Sequence, residues 1–194
     1  MPRSAFAARL AAIALMLHLA QAAAAAPVAY ALDASASTVA FETDFGPDKI
    51  TGSIPLSVAD LRLDFDNVTN CTVSVELDVT GATASFPFAA QALKGPKVLD
   101  AATYPRMTFQ STSVARVGDA AEVSGNLTIR GVTRPVILKA EVFRPQGSAE
   151  GDFSRLTVRL TGRVNRSDFG ATGWLDMVGD EVRIVITARI DAKG

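Results

Sequence analysis

Histidine is almost absent from this chain. Its 194 residues include one, His18, and that residue falls within an N-terminal stretch with the marks of a removable leader. Met1–Arg9 carries two arginines and no acid, Leu10–Ala20 is apolar apart from His18, and Ala22–Ala26 is a run of small residues. A basic start, an apolar core of about eleven residues and a small-residue cleavage zone make up a secretory signal peptide. The apolar run is shorter than the roughly 18–20 residues that span a bilayer, so no integral span is expected. Pro27 is unfavourable directly after a cut, which places cleavage after Ala24 or Ala25. Residues 1–25 are then the signal peptide, residues 26–194 the one mature domain, and the periplasm its expected location. Without His18 the mature chain cannot form a Ser-His-Asp or Cys-His nucleophile, a His-ligated zinc site or a His-ligated haem.

Cysteine and basic charge are scarce as well. Cys71 is the single cysteine. One thiol gives no internal disulfide and no multi-Cys metal site, and none follows the leader to accept a lipid anchor. Loss of Arg3 and Arg9 leaves 17 basic against 20 acidic residues, a net charge near −3. A weakly acidic domain without a basic block is a poor partner for nucleic acid. No Gly-rich phosphate loop and no metal-ligand spacing is present. Asp64 and Asp66 could share a strand face as an acid–base pair, yet followed by Asn67 they read as an Asx turn. The expected lists of catalytic residues, metal ligands and cofactors are therefore empty.

What the sequence has in quantity is alternation. From Cys71 to Thr80 the odd positions are Cys, Val, Val, Leu and Val, and the even ones are polar. That is a strand with one dry and one wet face, and it predicts Cys71 as a small buried hydrophobe. The same period marks Val136–Val142, Leu156–Val164 and Val182–Ile190, with Arg155, Arg159, Arg163 and Glu181 on the polar side. Weaker versions cover Ser37–Phe45, Ile50–Val58, Leu61–Phe65, Arg106–Val114 and Val123–Ile129. Eight or nine strands separated by turn residues indicate an all-β antiparallel barrel or sandwich. Arg130-Gly131 reads as a tight turn, with Gly131 free to take a positive φ. One segment breaks the rhythm. Phe86–Pro96, with an early Pro87 and a Gly95-Pro96 stop, predicts a short helix near residues 86–95, capped by Ser85 or Phe86. It is either a plug at one end of the core or a lid over a cavity.

Tyr30-x-Leu-Asp33, Ser37-x-Val-x-Phe41, Leu61-x-Leu-Asp-Phe65, Tyr104-Pro-x-x-x-Phe109-x-Ser-Thr112, Gly125-x-Leu-Thr-Ile-Arg-Gly-Val-Thr-Arg-Pro135 and Asn165-Arg-Ser-Asp-Phe-Gly170 follow one another along the mature chain. In that order they resemble the YceI-like family of exported lipid-binding proteins. The resemblance implies an eight-stranded lipocalin-like β-barrel around a long apolar tunnel that holds a polyisoprenoid, such as a polyprenyl diphosphate or a quinone tail, without chemistry on it. Two departures favour a ligand held chiefly by its tail. Asp44 stands where many relatives have histidine, and apolar Phe86–Gly95 replaces an Arg- and Asp-rich stretch.

The expected ligand-binding residues are Phe41, Phe45, Val73, Val75, Leu77, Phe86, Phe88, Leu93, Phe109 and Val158. Arg166 could add a guanidinium fork for an oxyanion head group, although Asn165–Gly170 reads equally as a turn in which Asn165 and Asp168 bond backbone amides. Small inward residues such as Gly125, Ala140, Gly162 and Ala188 are expected to leave room, since an eight-stranded barrel sits at the boundary between filled and hollow. The alternative is that the phenylalanines fill that space. Trp174 is expected as a barrel-end plug. Two other readings stay open: a small outer-membrane barrel, in which the arginines would line the lumen, and a carboxylate-based enzyme. A non-enzymatic carrier for an isoprenoid lipid is the leading expectation, with pairing as a homodimer left open.

Overall fold

A computed structural model describes residues 26–193; the predicted signal peptide, residues 1–25, lies outside them. The alternating segments form strands β1 (Val28–Phe45), β2 (Asp48–Ser53), β3 (Leu56–Leu63), β4 (Thr72–Asp78), β5 (Thr83–Ala84), β6 (Arg106–Val117), β7 (Ala120–Ile129), β8 (Val132–Phe143), β9 (Arg155–Asn165) and β10 (Val178–Ala192). All pairings are antiparallel, in the order β10-β9-β8-β7-β6-β4-β3-β1, and β1 pairs back onto β10. Eight staves thus close into a barrel, which leaves no open edge among them. β2 continues the line of β3 beyond a corner at Ile54-Pro55: β1 pairs with β3 through Val28–Tyr30 and with β2 through Ala40–Phe45. The two-residue β5 extends β2.

β1 changes face along its length. The register against β10 slips between Asp33 and Thr38. There the Asp33 carboxylate accepts from the Ser35 and Ala36 amides at 3.1 and 3.2 Å, and Ser37 Oγ donates to the Asp33 carbonyl at 2.6 Å. A bulge of this kind reverses parity. Leu32 before it and Val39, Phe41, Thr43 and Phe45 after it therefore all point inward.

The two ends of the barrel differ. At the end carrying the N-terminus of β1, Tyr30, Leu61, Leu156 and Ile190 form a fully buried tier. Phe65 stacks on Phe153 at 4.6 Å, Tyr30 meets Phe65 edge-on at 6.1 Å, and the Tyr30 hydroxyl donates to the Phe153 carbonyl at 2.9 Å. This end is plugged. Burial of each such side chain stabilises the fold by about 1.5–3 kcal/mol. Above it lies a second cluster around Phe109, Val123, Leu127 and Leu138. The expectation that small inward residues leave room fails here. A Cβ on Gly125 would stand 2.4 Å from the Phe109 ring, and one on Gly162 would stand 2.5 Å from Leu138. Neighbouring strands lay large side chains over these glycines.

The opposite end is open. There the helix α1 (Pro87–Lys94) begins at Phe86, which caps it without a side-chain hydrogen bond, and ends at Gly95. Pro87 suits the first helical position, where a missing N–H costs nothing. Arg130 and Gly131 turn β7 into β8 with φ of 52° and 73°, and the Arg130 guanidinium donates to the Val98 carbonyl at 2.8 Å.

Candidate functional site

The upper half of the barrel encloses a cavity of about 340 Å³, within the ~300–1,000 Å³ range of small-molecule sites. Its wall comes from every quarter of the barrel. Phe41, Phe45, Val73, Val75, Leu77 and Phe109 project from β1, β4 and β6, and Val182, Ile184 and Ile186 from β10. Phe86, Phe88 and Leu93 of the α1 segment close one side, and Trp174 and Met177 of the loop before β10 close another. The helix is therefore part of the rim. Phe86 packs on Phe45 with ring centroids 6.5 Å apart, and the Gly46 amide donates to the Met177 carbonyl at 3.3 Å. The strand alternation puts these side chains inside, and the bulge in β1 brings the second half of that strand into phase with it.

The polar side chains of the wall turn away from the space. Thr43 Oγ1 lies 3.0 Å from the carbonyls of Gly179 and Glu181 and donates between them. Arg166 is 7 % exposed. Its Nε donates to Gly179 at 2.9 Å, Nη1 to Ala171 and Gly173 at 2.7 Å each, and Nη2 to Val178 at 2.8 Å, all of them carbonyl acceptors. Burial lowers its pKa and the Asp180 carboxylate partly restores it. Four of the five guanidinium N–H groups are engaged by the backbone. Arg166 thus ties the 170–179 loop to the barrel mouth and keeps one N–H beyond these four bonds. Around it Arg166–Phe169 form a short 3-10 helix ending at Gly170, φ 74°. Asn165 makes no capping bond; Asp180 does the work instead, accepting from the Ser167 amide at 2.9 Å and its hydroxyl at 2.7 Å.

Other expected residues fall as follows. Val158 does not line the cavity. It packs against both the plugged tier and the Phe109 cluster, one inward step along β9 from Leu156 of that tier. Trp174 stands at the open mouth, and the aromatic plug at the far end is built from Tyr30, Phe65 and Phe153. Asp44 points outward and pairs with Arg183, which also bonds Glu42 and Glu181. The Arg183 hydrogen bond holds the Asp44 carboxyl below its usual range. Asp64 forms the Asx turn: its carboxylate accepts from the Asn67 and Asp66 amides at 2.8 and 3.0 Å and from Asn70 Nδ2 at 2.8 Å. Cys71 is buried beside it, and burial raises its thiol pKa.

The charged face of the strands points to solvent. Arg163 pairs with Glu181 and Arg155 with Asp191 on the outside, whereas the lumen is apolar. That is the reverse of the arrangement an outer-membrane barrel requires. Among the described residues no helix is long and apolar enough to cross a membrane, and no group of three His, Cys, Asp or Glu side chains is placed to hold a metal.

A barrel closed at one end, apolar inside and rimmed by a helix can be compared with known proteins. The model of the YceI-like domain matches residues 30–190. The chain belongs to the YceI-like family. Protein YceI of Salmonella arizonae is 36 % identical over 95 residues, 49 % of either chain, as is that of Salmonella paratyphi B. The chain thus spans about half the length of the curated relatives it matches. Among solved structures, Burkholderia cenocepacia BcnA superposes with a TM-score of 0.74 at 25 % identity, over 82 % of this chain and 99 % of that one. A polyisoprenoid binding domain from Saccharophagus degradans superposes with a TM-score of 0.63 at 15 % identity, over 86 % and 99 %. The Campylobacter jejuni YceI protein gives 0.62 at 23 %, over 74 % and 85 %. At such identities the last two establish the shared fold.

Within this YceI-like barrel, sequence reasoning placed ten of its eleven site residues on the cavity wall, Val158 being the exception. It passed over Ile184 and Ile186, whose alternation in β10 was visible, and over Met177, whose loop has no period to reveal it.

Proposed function

We propose that this protein is a non-enzymatic carrier that encloses the tail of an isoprenoid lipid, of polyprenyl diphosphate or quinone type. In this reading it acts in the periplasm after export through residues 1–25, whose basic, apolar and small-residue zones support that location. One observation carries the proposal: the cavity is apolar, closed at its floor, and both Thr43 and Arg166 are turned onto backbone carbonyls. Such a space offers nothing to a polar ligand, while each buried methylene of a tail contributes about 0.8 kcal/mol. The tail end enters first, and the head group stays at the mouth beside Trp174. A family neighbour described as a polyisoprenoid binding domain supports the choice of ligand. Among the described residues that line the cavity there is no carboxylate, thiol or imidazole, which supports binding without chemistry.

Organic extraction of protein purified without refolding, followed by mass spectrometry, should release a prenyl lipid in near-stoichiometric amount. Val75→Trp, which places an indole in the middle of the cavity, should abolish uptake of added prenyl lipid while the cooperative unfolding transition persists. An empty extract together with no uptake by the parent protein overturns the proposal.

A further inference from the structure

We infer that the rim of the barrel mouth docks onto a phospholipid bilayer containing anionic lipid. This extends the carrier reading from what is held to where it is collected. Phe88 is 73 % exposed, Met177 50 % and Phe86 41 %, and all three also form the cavity wall. Leu175, 50 % exposed, stands two residues before Met177 on the same loop without reaching the cavity. Aromatic and aliphatic groups thus lead without a break from the lumen to the outside. A tail crossing this mouth into water would expose its methylenes; a rim seated in the acyl–headgroup boundary removes that exposure.

Charge selects the occupant. The Lys97 carbonyl accepts from the Gly173 amide at 2.8 Å, which joins the segment after α1 to the loop carrying Trp174. Lys97 Nζ lies 5.7 Å from the centroid of the Trp174 ring. Lys94 ends α1 and donates to the Thr80 carbonyl at 3.4 Å. Among the described residues neither lysine has a carboxylate partner within 4.0 Å. A tryptophan with Lys97 over its ring, Lys94 at the end of α1 and exposed phenylalanines on the same rim match the chemistry of a bilayer interface, where indoles sit at headgroup depth and ammonium groups meet lipid phosphate. Asp176, exposed between Leu175 and Met177, keeps the loop at the headgroup level and limits insertion to side-chain depth.

Trp174 is the sole tryptophan, so its emission reports on the rim. Vesicles of phosphatidylethanolamine with phosphatidylglycerol should shift that emission to the blue, and brominated acyl chains should quench it. Leu175→Asp should weaken partitioning at least tenfold, and replacing phosphatidylglycerol by phosphatidylcholine severalfold. Phe143→Asp, an exposed residue at the plugged end, should stay within twofold of the parent. An apolar leader that adhered by itself would sediment the protein without moving the emission. An unmoved emission, or Leu175→Asp partitioning like the parent, overturns docking. So does quenching that remains with the soluble protein after the vesicles are pelleted, since that marks a captured acyl chain. Uptake of a farnesyl-length ligand from solution tests the cavity separately: it should survive in Leu175→Asp. Its failure in the parent would remove the carrier reading and leave the vesicle result to be read alone.

Discussion

Replacing Arg166 by Met separates a structural tie from a head-group contact. Methionine keeps most of the aliphatic stem but strands the carbonyls of Ala171, Gly173, Val178 and Gly179, which now receive four charge-assisted bonds of 2.7–2.9 Å. Hydrogen bonds to a charged group contribute about 1.5–3 kcal/mol each, and a buried acceptor left without a partner costs about 1–3 kcal/mol. The four act as one unit and are not additive, and loop carbonyls near the mouth regain some water. A total of about 4 kcal/mol is expected, at the upper end of single-residue effects. At about 2 kcal/mol/M in urea the midpoint should fall by about 2 M, and at ~2–4 °C per kcal/mol the melting temperature by about 8–16 °C. Arg166→Lys should recover only part of this, because an ammonium has three donors diverging from one atom and cannot meet four carbonyls. Urea unfolding of parent and both variants, with binding of a neutral and a charged prenyl ligand measured alongside, decides the matter. A stability loss under 1 kcal/mol combined with selective loss of the charged ligand would refute the tie.

Two further expectations rest on the same geometry. Gly125→Ala should destabilise by about 1–3 kcal/mol, since its methyl group would overlap the Phe109 ring and approach the Gln110 carbonyl within 2.6 Å; a variant as stable as the parent in urea would show the ring free to move. Asp64 contributes to the acid limb: its carboxyl is held below its usual value, first by the Asn70 side chain and then by the Asn67 and Asp66 amides. A depressed folded pKa contributes stability that is present above the unfolded value, about 3.9, and lost as pH falls through the folded one. Urea midpoints should therefore drop below about pH 4, and Asp64→Asn should flatten that slope; identical slopes in the two proteins would contradict it.

Much of this fold was legible because side chains on a strand alternate and one face must be dry. That logic placed Cys71, Val73, Val75 and Leu77 inside, and it placed Arg155 and Arg163 outside. Local chemistry was equally readable where it is closed within a few residues, as in the Asp64–Asn67 turn and the Pro87-to-Gly95 helix. It failed where the outcome belongs to a neighbouring strand. Gly125 and Gly162 look like gaps in one dimension, and in three they are occupied by Phe109 and Leu138. Val158 keeps the parity of a lining residue yet sits at the depth of the plug. Arg166 is a free fork in one dimension, and the loop that returns thirteen residues later brings the Gly179 carbonyl to it.

The amino-acid order alone determined which face of each strand is apolar, where the chain turns, and that no histidine stands after residue 25. Those properties depend on backbone period and residue type, and both are local. The closure of β1 onto β10, the choice of which end is plugged by Tyr30, Phe65 and Phe153, and the depth to which the interior stays empty were decided only by the assembled barrel. Each is a matter of volume shared among strands far apart in the chain, and volume is not a property that any one segment carries.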